Sequence, residues 1–385
     1  AIAALAAEFP DLDLIPFHRP EGGAPDLERF PAAALHDPGV MLFTGGSTGI
    51  PKAVIHSQGA IANAVRGVEF AWPTRVRGET WLPIAPMSHI YGFLTGVLNP
   101  VYGNATIVVP ERFKPDLVLD LIARHRVTVF GGGPAPIYAA MLAAGNFGQV
   151  DLSSLVICPS GGAPMPVELA ERWKRATGLQ ILEGYGMTEM APITASTLTY
   201  GFRVGSAGKP LPCVEVEIVD PLLGERVLPT GETGEIRFRA PYAMRGYHDN
   251  PAETAATLRG GWIYTGDLGH LDAEGFLFVT DRKKDMVIVK GFNVFPRLIE
   301  ETALAHPQIH SVGVIGTEDA RTGERLVLFA VAAPGLAEAD FRAWLEARLA
   351  PYMVPAELRF VTALPVTPAA KLDRTALRRM AAEGE

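Results

Sequence analysis

The apolar positions of this chain follow one rhythm up to about Tyr200, a second up to about Thr280 and a third beyond. In the first stretch, short apolar runs at Ala105–Pro110, Val127–Phe130, Leu155–Pro159 and Gln180–Gly184 read as strands. The stretches between them, Lys114–Arg126, Pro134–Ala144 and Pro166–Thr177, read as helices, with Leu117, Leu121 and Ile122 at helical spacing. Strands alternating with helices predict an α/β sheet with helices on its faces. After Tyr200, Val214–Asp220, Glu235–Ala240 and Phe276–Thr280 read as strands between Gly/Pro turns with few helices, an antiparallel, barrel-like module. A charged cluster, Asp281-Arg282-Lys283-Lys284-Asp285, then precedes a small α+β unit. Its expected strands are Met286–Lys290, Val312–Gly316, Leu326–Ala333 and Leu358–Val361, and its helices Pro296–His306, Ala337–Leu349 and Asp373–Ala382. The expected organisation is a large N-terminal domain over 1–280, a hinge at 281–285 and a small mobile α+β domain over 286–385.

Composition narrows the class. The 385 residues, 48% hydrophobic and 20% charged, suit a soluble globular chain of two or three domains. A net charge of -8 with no long basic run argues against a general nucleic-acid binder, which needs clustered Lys and Arg to neutralise phosphates. Cys158 and Cys213 stand far apart and form neither a disulfide framework nor a metal-ligand spacing, which suits a reducing cytoplasm. No apolar run reaches the roughly 20 residues of a membrane span; peripheral membrane contact stays open, as does the choice of monomer or homodimer.

The strongest local signal is Phe43-Thr44-Gly45-Gly46-Ser47-Thr48-Gly49-Ile50-Pro51-Lys52. Its glycines let the backbone fold tightly and aim N–H groups at an anion, its hydroxyls add donors, and Lys52 adds positive charge. Pro51 and the lack of a Gly-Lys-Ser/Thr ending separate it from a Walker A loop, and a Gly-rich surface turn would read the same way. Gly184-Tyr185-Gly186-Met187-Thr188-Glu189, after an expected strand, offers an aromatic face for a purine and a carboxylate for Mg²⁺. Tyr264-Thr265-Gly266-Asp267-Leu268-Gly269 is expected to put a carboxylate in a turn, within reach of ribose hydroxyls. Leu364-Pro365-Val366-Thr367 leads to Lys371 and Arg374 on a late loop. Taken singly, each of these is also what a core edge, a turn or a solvated loop contains.

Together and in this order, these segments resemble the acyl-adenylate-forming superfamily of acyl-CoA synthetases, peptide-synthetase adenylation domains and beetle luciferases. The resemblance runs from about Val40 to Arg374. The segments Gly261–Asp267, Asp281–Met286 and Gly291–Pro296 are particularly similar to bacterial medium- and long-chain fatty-acyl-CoA synthetases. The resemblance implies ATP, Mg²⁺ and coenzyme A together with a small-molecule carboxylate. It implies that Thr44, Gly45, Gly46, Ser47, Thr48, Gly49 and Lys52 surround the phosphates. Gly161, Gly162, Ala163, Gly184, Tyr185, Gly186, Met187 and Thr188 would hold AMP, and Asp267 and Arg282 the ribose. Thr44 and Glu189 would hold the metal. Lys371, Thr188, Glu189 and His89 are the implied catalytic set, with Lys371 bridging the α-phosphate and the attacking carboxylate. Lys284 matches the hinge, and Lys290 with Gly291 the passage of the CoA thiol.

The sequence departs from the family at Ala53 and Ala370, where glycine is usual, and at Arg297, where the Pro-x-Glu-Ile-Glu segment usually has Glu. About forty residues precede Phe43, fewer than the family's N-terminal subdomain of roughly a hundred, so a longer parent chain is expected.

Pro86-Met87-Ser88-His89-Ile90-Tyr91-Gly92 lacks the Asp that pairs with the amine in amino-acid-activating relatives, so an amino acid is not the expected substrate. Phe130–Pro134 and Ser160–Gly162 match pocket-lining segments of the family, and the resemblance implies that His89, Gly132, Gly133 and Gly162 line a roomy acyl pocket, His89 being equally a packed, hydrogen-bonded histidine. The expected activity is therefore fatty-acyl-CoA synthesis through acyl-AMP. The alternatives are an acyl-AMP ligase that loads a carrier protein, and a truncated relative that binds nucleotide or acyl chain without turnover. The compact stretch from Glu189 to Gly231 favours CoA over a carrier protein.

Overall fold

The computed structural model describes residues 33–44, 51–163, 165–221, 223–290, 292–319, 323–366 and 372–383. The chain separates into residues 1–34, nearly all outside that set, and 35–385, which everything below concerns.

The first elements are a hairpin, β1 (Pro38–Phe43) and β2 (Ala53–Ser57), and the helix α1 (Gln58–Ala71). Ser57 caps α1, its hydroxyl accepting from the Ala60 N–H at 3.1 Å. Ala60, Ala64, Val65, Val68 and Ala71 share one buried face, which small side chains let approach the sheets closely. Next come β3 (Thr80–Pro83) and a continuous helical run: α2 (Ile90–Phe93), a π-helical turn Leu94–Leu98, and α3 (Asn99–Tyr102). β4 (Thr106–Ile107), α4 (Pro115–His125), β5 (Val129–Gly131), α5 (Ala135–Leu142), β6 (Cys158–Gly161) and α6 (Val167–Thr177) then alternate as the sequence predicts. The strand expected over Ala105–Pro110 shrinks to the two residues of β4, and β3 pairs in parallel with both β4 and β5. A buried aromatic cluster holds this layer together: the Tyr138 and Trp173 rings meet edge to face at 4.9 Å, and Phe130 meets Tyr138 at 5.6 Å.

β7 (Ile181–Met187) runs parallel to β6 and antiparallel to β8 (Met190–Ala195), which pairs with β9 (Lys209–Pro210). A separate antiparallel sheet contains β10 (Glu215–Val219) and β11 (Gly234–Arg239). β12 (Gly246–Tyr247) instead joins the first hairpin beside β2. After α7 (Pro251–Thr257) follow β13 (Leu258–Arg259), β14 (Trp262–Leu271) and β15 (Leu277–Arg282), completing the order β10-β11-β14 with β13 and β15 both on β14. The turn expected at Tyr264–Gly269 is instead the middle of the ten-residue strand β14. Gly266, at φ +66°, lies in a bulge against β11, whose register jumps from Tyr264 to Leu268, and only Asp267 of the pair has a strand partner, Arg282 of β15, so the Gly-Asp reads locally as a turn.

Beyond a 3₁₀ turn, Lys283–Asp285, lie β16 (Val287–Val289), β17 (Phe292–Val294), α8 (Pro296–Leu304), β18 (Ile309–Asp319), β19 (Gly323–Ala332), α9 (Glu338–Glu346), β20 (Glu357–Phe360) and α10 (Arg374–Ala382). The strands form one sheet, β17-β16-β19-β18, with β20 parallel to β19. Ile299, Phe341, Leu345 and Leu377 on the three helices are wholly buried.

Candidate functional site

Two side-chain clusters collect the predicted residues. The first lies where β7 meets β14 and β15. Asp267 stands opposite Arg282 in the β14–β15 register, and its Oδ1 takes the Arg282 Nε at 2.7 Å. Its Oδ2 accepts from the Tyr185 hydroxyl at 2.6 Å, and its own N–H donates to Thr265 Oγ1 at 2.9 Å. Asp267 is buried, while Arg282 keeps about half its side chain in water. Burial, and then Asp267 itself, hold the Tyr185 phenol well above its ordinary range; Asp267 raises the Arg282 guanidinium in turn. Tyr185, Asp267 and Arg282 are thus one hydrogen-bonded set assembled from three strands.

The second cluster surrounds the turn after β7. Met187 pairs with Met190, so Thr188 and Glu189 are the two residues of a tight hairpin loop, not an extension beyond a finished strand. The Thr188 carbonyl meets His56 Nε2 at 2.7 Å, and the Glu189 carbonyl accepts from the Met244 N–H at 2.9 Å. The Glu189 carboxylate is 6% exposed and accepts from the Tyr247 hydroxyl. It has no salt bridge among the described residues within 4.0 Å, and no group of three His, Cys, Asp or Glu there forms a ready metal cage. A buried carboxylate with one oxygen on a phenol suits a hard cation that takes its remaining ligands from phosphate and water, as Mg²⁺ does.

Thr44 and Lys52 face each other at the open end of the β1–β2 hairpin. The Thr44 N–H donates to the Lys52 carbonyl at 2.9 Å, and the Lys52 N–H to Thr44 Oγ1 at 3.2 Å. The Lys52 ammonium lies 4.9 Å from the Tyr247 ring centroid and reaches Glu253 at 2.5 Å. Gly45, Gly46, Ser47, Thr48, Gly49, Gly291 and Lys371 lie outside the described residues.

The glycines divide by purpose. Gly161 pairs with Gly184; a Cβ on Gly161 would sit 3.0 Å from the Gly184 carbonyl and 3.3 Å from the Tyr91 ring, so bare backbone is required. Gly162, at φ +81°, has nothing within 4 Å of its Cβ position, beside a half-buried Ala163. Gly132 departs from the expected open pocket. A Cβ there would fall 2.6 Å from the Phe130 ring and 3.0 Å from Tyr138, so its size serves core packing. Gly133, at φ +89°, meets only Ala85 at 3.8 Å. His89 is half-buried, and its Nδ1 accepts from the Tyr91 N–H at 3.2 Å, capping α2.

At the charged cluster, Lys283 pairs with Glu235 at 2.9 Å, and Asp285 with Arg378 at 3.2 Å and Arg374 at 3.6 Å. Between them stands Lys284, an exposed residue whose ammonium is lowered by desolvation. Lys290 is exposed at φ +52°. Counted from Pro296, the first Glu of the Pro-x-Glu-Ile-Glu segment falls on Leu298 rather than Arg297; its last Glu is Glu300, which takes Arg374 at 2.6 Å. Arg297 makes contacts of its own, donating its N–H to Asp281 Oδ2 at 3.0 Å and its guanidinium to the Val279 carbonyl at 2.6 Å.

His56, Tyr247 and Glu253 were not among the sequence candidates. For His56 a signal existed: Val54 and His56 are both buried on alternate positions of β2, so a polar residue stands on the inward face of a strand. Tyr247 carries no comparable mark, because β12 is two residues long.

The family profile described as AMP-binding enzyme matches residues 6–248, and that of the AMP-binding enzyme C-terminal domain matches residues 298–371. The chain is 39% identical over 349 residues to a long-chain-fatty-acid–CoA ligase of Bacillus subtilis (strain 168), a match covering 89% of this chain and 61% of that protein. It is 35% identical to a feruloyl-CoA synthase of Amycolatopsis sp, over 92% of this chain and 71% of the other. Among solved structures, ATP-bound MatB from Rhodopseudomonas palustris superposes with a TM-score of 0.85 at 30% identity, covering 90% of this chain and 69% of that one. The chain thus spans about three fifths to seven tenths of the length of these relatives.

Proposed function

This chain belongs to the AMP-binding enzyme family, and from that premise we propose that it joins a carboxylic acid to coenzyme A through an acyl-adenylate. The observation that carries the reading is the Tyr185–Asp267–Arg282 set, a buried carboxylate braced to accept hydroxyls beside an aromatic ring. In the first step a carboxylate oxygen attacks the α-phosphorus of ATP and pyrophosphate leaves. Two anions meet there, so the site must bring positive charge: Lys52, the N–H groups of the loop after Thr44, and Lys371. Glu189 and Thr44 would hold Mg²⁺, which would neutralise charge on the phosphates. In the second step the CoA thiol attacks the acyl carbon and AMP leaves.

The proposal extends to organisation. Residues 1–280 form the adenylating part, 281–285 the hinge and 286–385 a small domain that turns at Lys284. What supports this is that Lys283 is tied to Glu235 on one side and Asp285 to Arg374 and Arg378 on the other. Lys290 and Gly291 border the thiol's path, and His89, Gly133 and Gly162 the acyl side. A medium- or long-chain fatty acid is the proposed substrate, supported by the ligase relative; the feruloyl-CoA synthase relative makes aromatic acids the necessary comparison. The proposed setting is the cytoplasm; among the described residues no helix is long and apolar enough to cross a membrane.

The test is ATP–pyrophosphate exchange over aliphatic acids of graded length and aromatic acids, followed by acyl-CoA formation. Exchange rising with chain length and completed by CoA is the expected result. Exchange with no carboxylate overturns the activity, and a preference for acetate or an aromatic acid overturns the fatty-acid assignment. Lys371→Ala should lower exchange by about 10²–10³ while leaving thioester formation from supplied acyl-AMP near normal.

A further inference from the structure

Tyr247 ends β12, where it pairs with Val54 of β2, and it is 7% exposed. Its two ends serve different partners. The hydroxyl donates to Glu189 Oε1, and the ring face lies 4.9 Å from the Lys52 ammonium. The turn that carries Glu189 is fixed on either side of this contact, by His56 on the Thr188 carbonyl and by the Met244 N–H on the Glu189 carbonyl. A phenol is an O–H donor, and a carboxylate can only accept, which fixes the direction of this contact.

We propose that Tyr247 is a positioning residue that couples Lys52 to Glu189, setting the phosphate-side cation and the metal-side carboxylate as one unit for metal-bound ATP. This rests on the reading of the site as an ATP site. A phenol fixes one carboxylate oxygen without supplying a full positive charge, so the charge of Glu189 stays available to a metal ion. A guanidinium in the same place would neutralise it. The aromatic face meanwhile restrains a lysine that otherwise samples many rotamers. Glu253 is the competitor for that lysine. Its pair with Lys52 is half-exposed and therefore weak enough for a triphosphate to displace.

The test is calorimetric binding of an α,β-methylene ATP analogue to the whole chain, with Mg²⁺ and with EDTA. Tyr247→Phe keeps the ring and removes the hydroxyl. It should leave metal-free binding within about twofold and lower the gain from Mg²⁺ about tenfold, the scale of a hydrogen bond to a charged group. Tyr247→Leu removes the ring as well and should weaken metal-free binding too. In a Glu189→Gln background, Tyr247→Phe should no longer change the Mg²⁺ gain. Electron paramagnetic resonance of Mn²⁺ with the analogue gives a second reading: more unbound Mn²⁺ with Tyr247→Phe than with the parent chain. The proposal is overturned if Tyr247→Phe keeps the whole metal gain, if it lowers metal-free and metal-dependent binding equally, or if its effect persists undiminished with Glu189→Gln. A parent chain that binds the analogue under neither condition overturns the ATP-site reading itself, and the proposal with it.

Discussion

Asp267 and Glu189 are 5% and 6% exposed, and each accepts a hydrogen bond from a tyrosine hydroxyl, Tyr185 for one and Tyr247 for the other. There the likeness ends. Asp267 also takes the Arg282 guanidinium across a strand pair, so its charge is balanced within the protein. Glu189 has no salt bridge among the described residues; the field of its charge reaches the Arg282 guanidinium, and the Lys52 ammonium stands over the ring of the tyrosine that donates to it. A third carboxylate nearby follows another route: Glu183, also on β7, is pushed up to about 7 by burial, with the Met165 N–H and the field of Arg297 opposing that rise. A buried carboxylate must be paired, neutralised by a proton, or left for a cation from outside. This molecule pairs Asp267 on β14, holds a proton more tightly at Glu183 on β7, and leaves Glu189, in the turn after β7, with a phenol and no salt bridge among the described residues, which is where the proposed metal role falls.

The comparison breaks most visibly at Asp267. Asp267→Ala strands the guanidinium of Arg282; that side chain is 54% exposed, so water recovers part of the loss. The expected cost is about 3 kcal/mol of stability by chemical denaturation, with ATP affinity falling at least about a hundredfold. Loss of ATP affinity with unchanged stability would show that Arg282 does not depend on Asp267.

Glu183 gives a pH signature of nearly the same size. Its folded pKa of about 7 lies above the ordinary 4.5, so the folded chain holds the proton more tightly than the unfolded one. Its contribution is therefore whole below 4.5 and is lost as pH rises to 7, a change on the order of 2–3 kcal/mol. Glu183→Gln should gain stability over the parent at pH 8 and much less at pH 5. Parallel stability curves for the two proteins would contradict the assignment.

Arg282→Gln sharpens the contrast by giving Asp267 the environment of Glu189. We expect a loss of about 1–2 kcal/mol, consistent with an exposed partner. A rise in thermal stability on adding Mg²⁺ without nucleotide, absent from the parent, would show Asp267 joining the metal-seeking class. The smallest stability change should come from Glu189→Gln, within about 0.5–1 kcal/mol of the parent or above it, because no protein cation loses its partner. The Mg²⁺ dependence of ATP binding should nevertheless disappear. A stability loss equal to that of Asp267→Ala would mean that Glu189 is paired within the protein after all.

Much of this was legible in the sequence, and the boundary is physical. Helices α4, α5, α6 and α8 follow from apolar spacing, and Tyr185, Glu189, Asp267 and Arg282 stand out as residue types in recognisable runs. What spacing does not carry is pairing at a distance. His56 meets Thr188 across 132 positions, and Tyr247 meets Glu189 across 58. Local chemistry also misleads where backbone geometry overrides it. Gly266-Asp267 has turn composition but lies in a bulge of β14, where the Glu235 carboxylate and the Thr265 hydroxyl take its N–H groups and the strand continues on either side. Gly132 reads as open space but is filled by the Phe130 and Tyr138 rings.

The closed rung between Thr44 and Lys52 bears on how such a site can be altered. Because that pair ties off the hairpin at its mouth, the β1–β2 register is fixed by residues on the sheet side of the rung. For anyone altering this hairpin, the register belongs to the paired residues and the rung, and a change to either is a change to the scaffold.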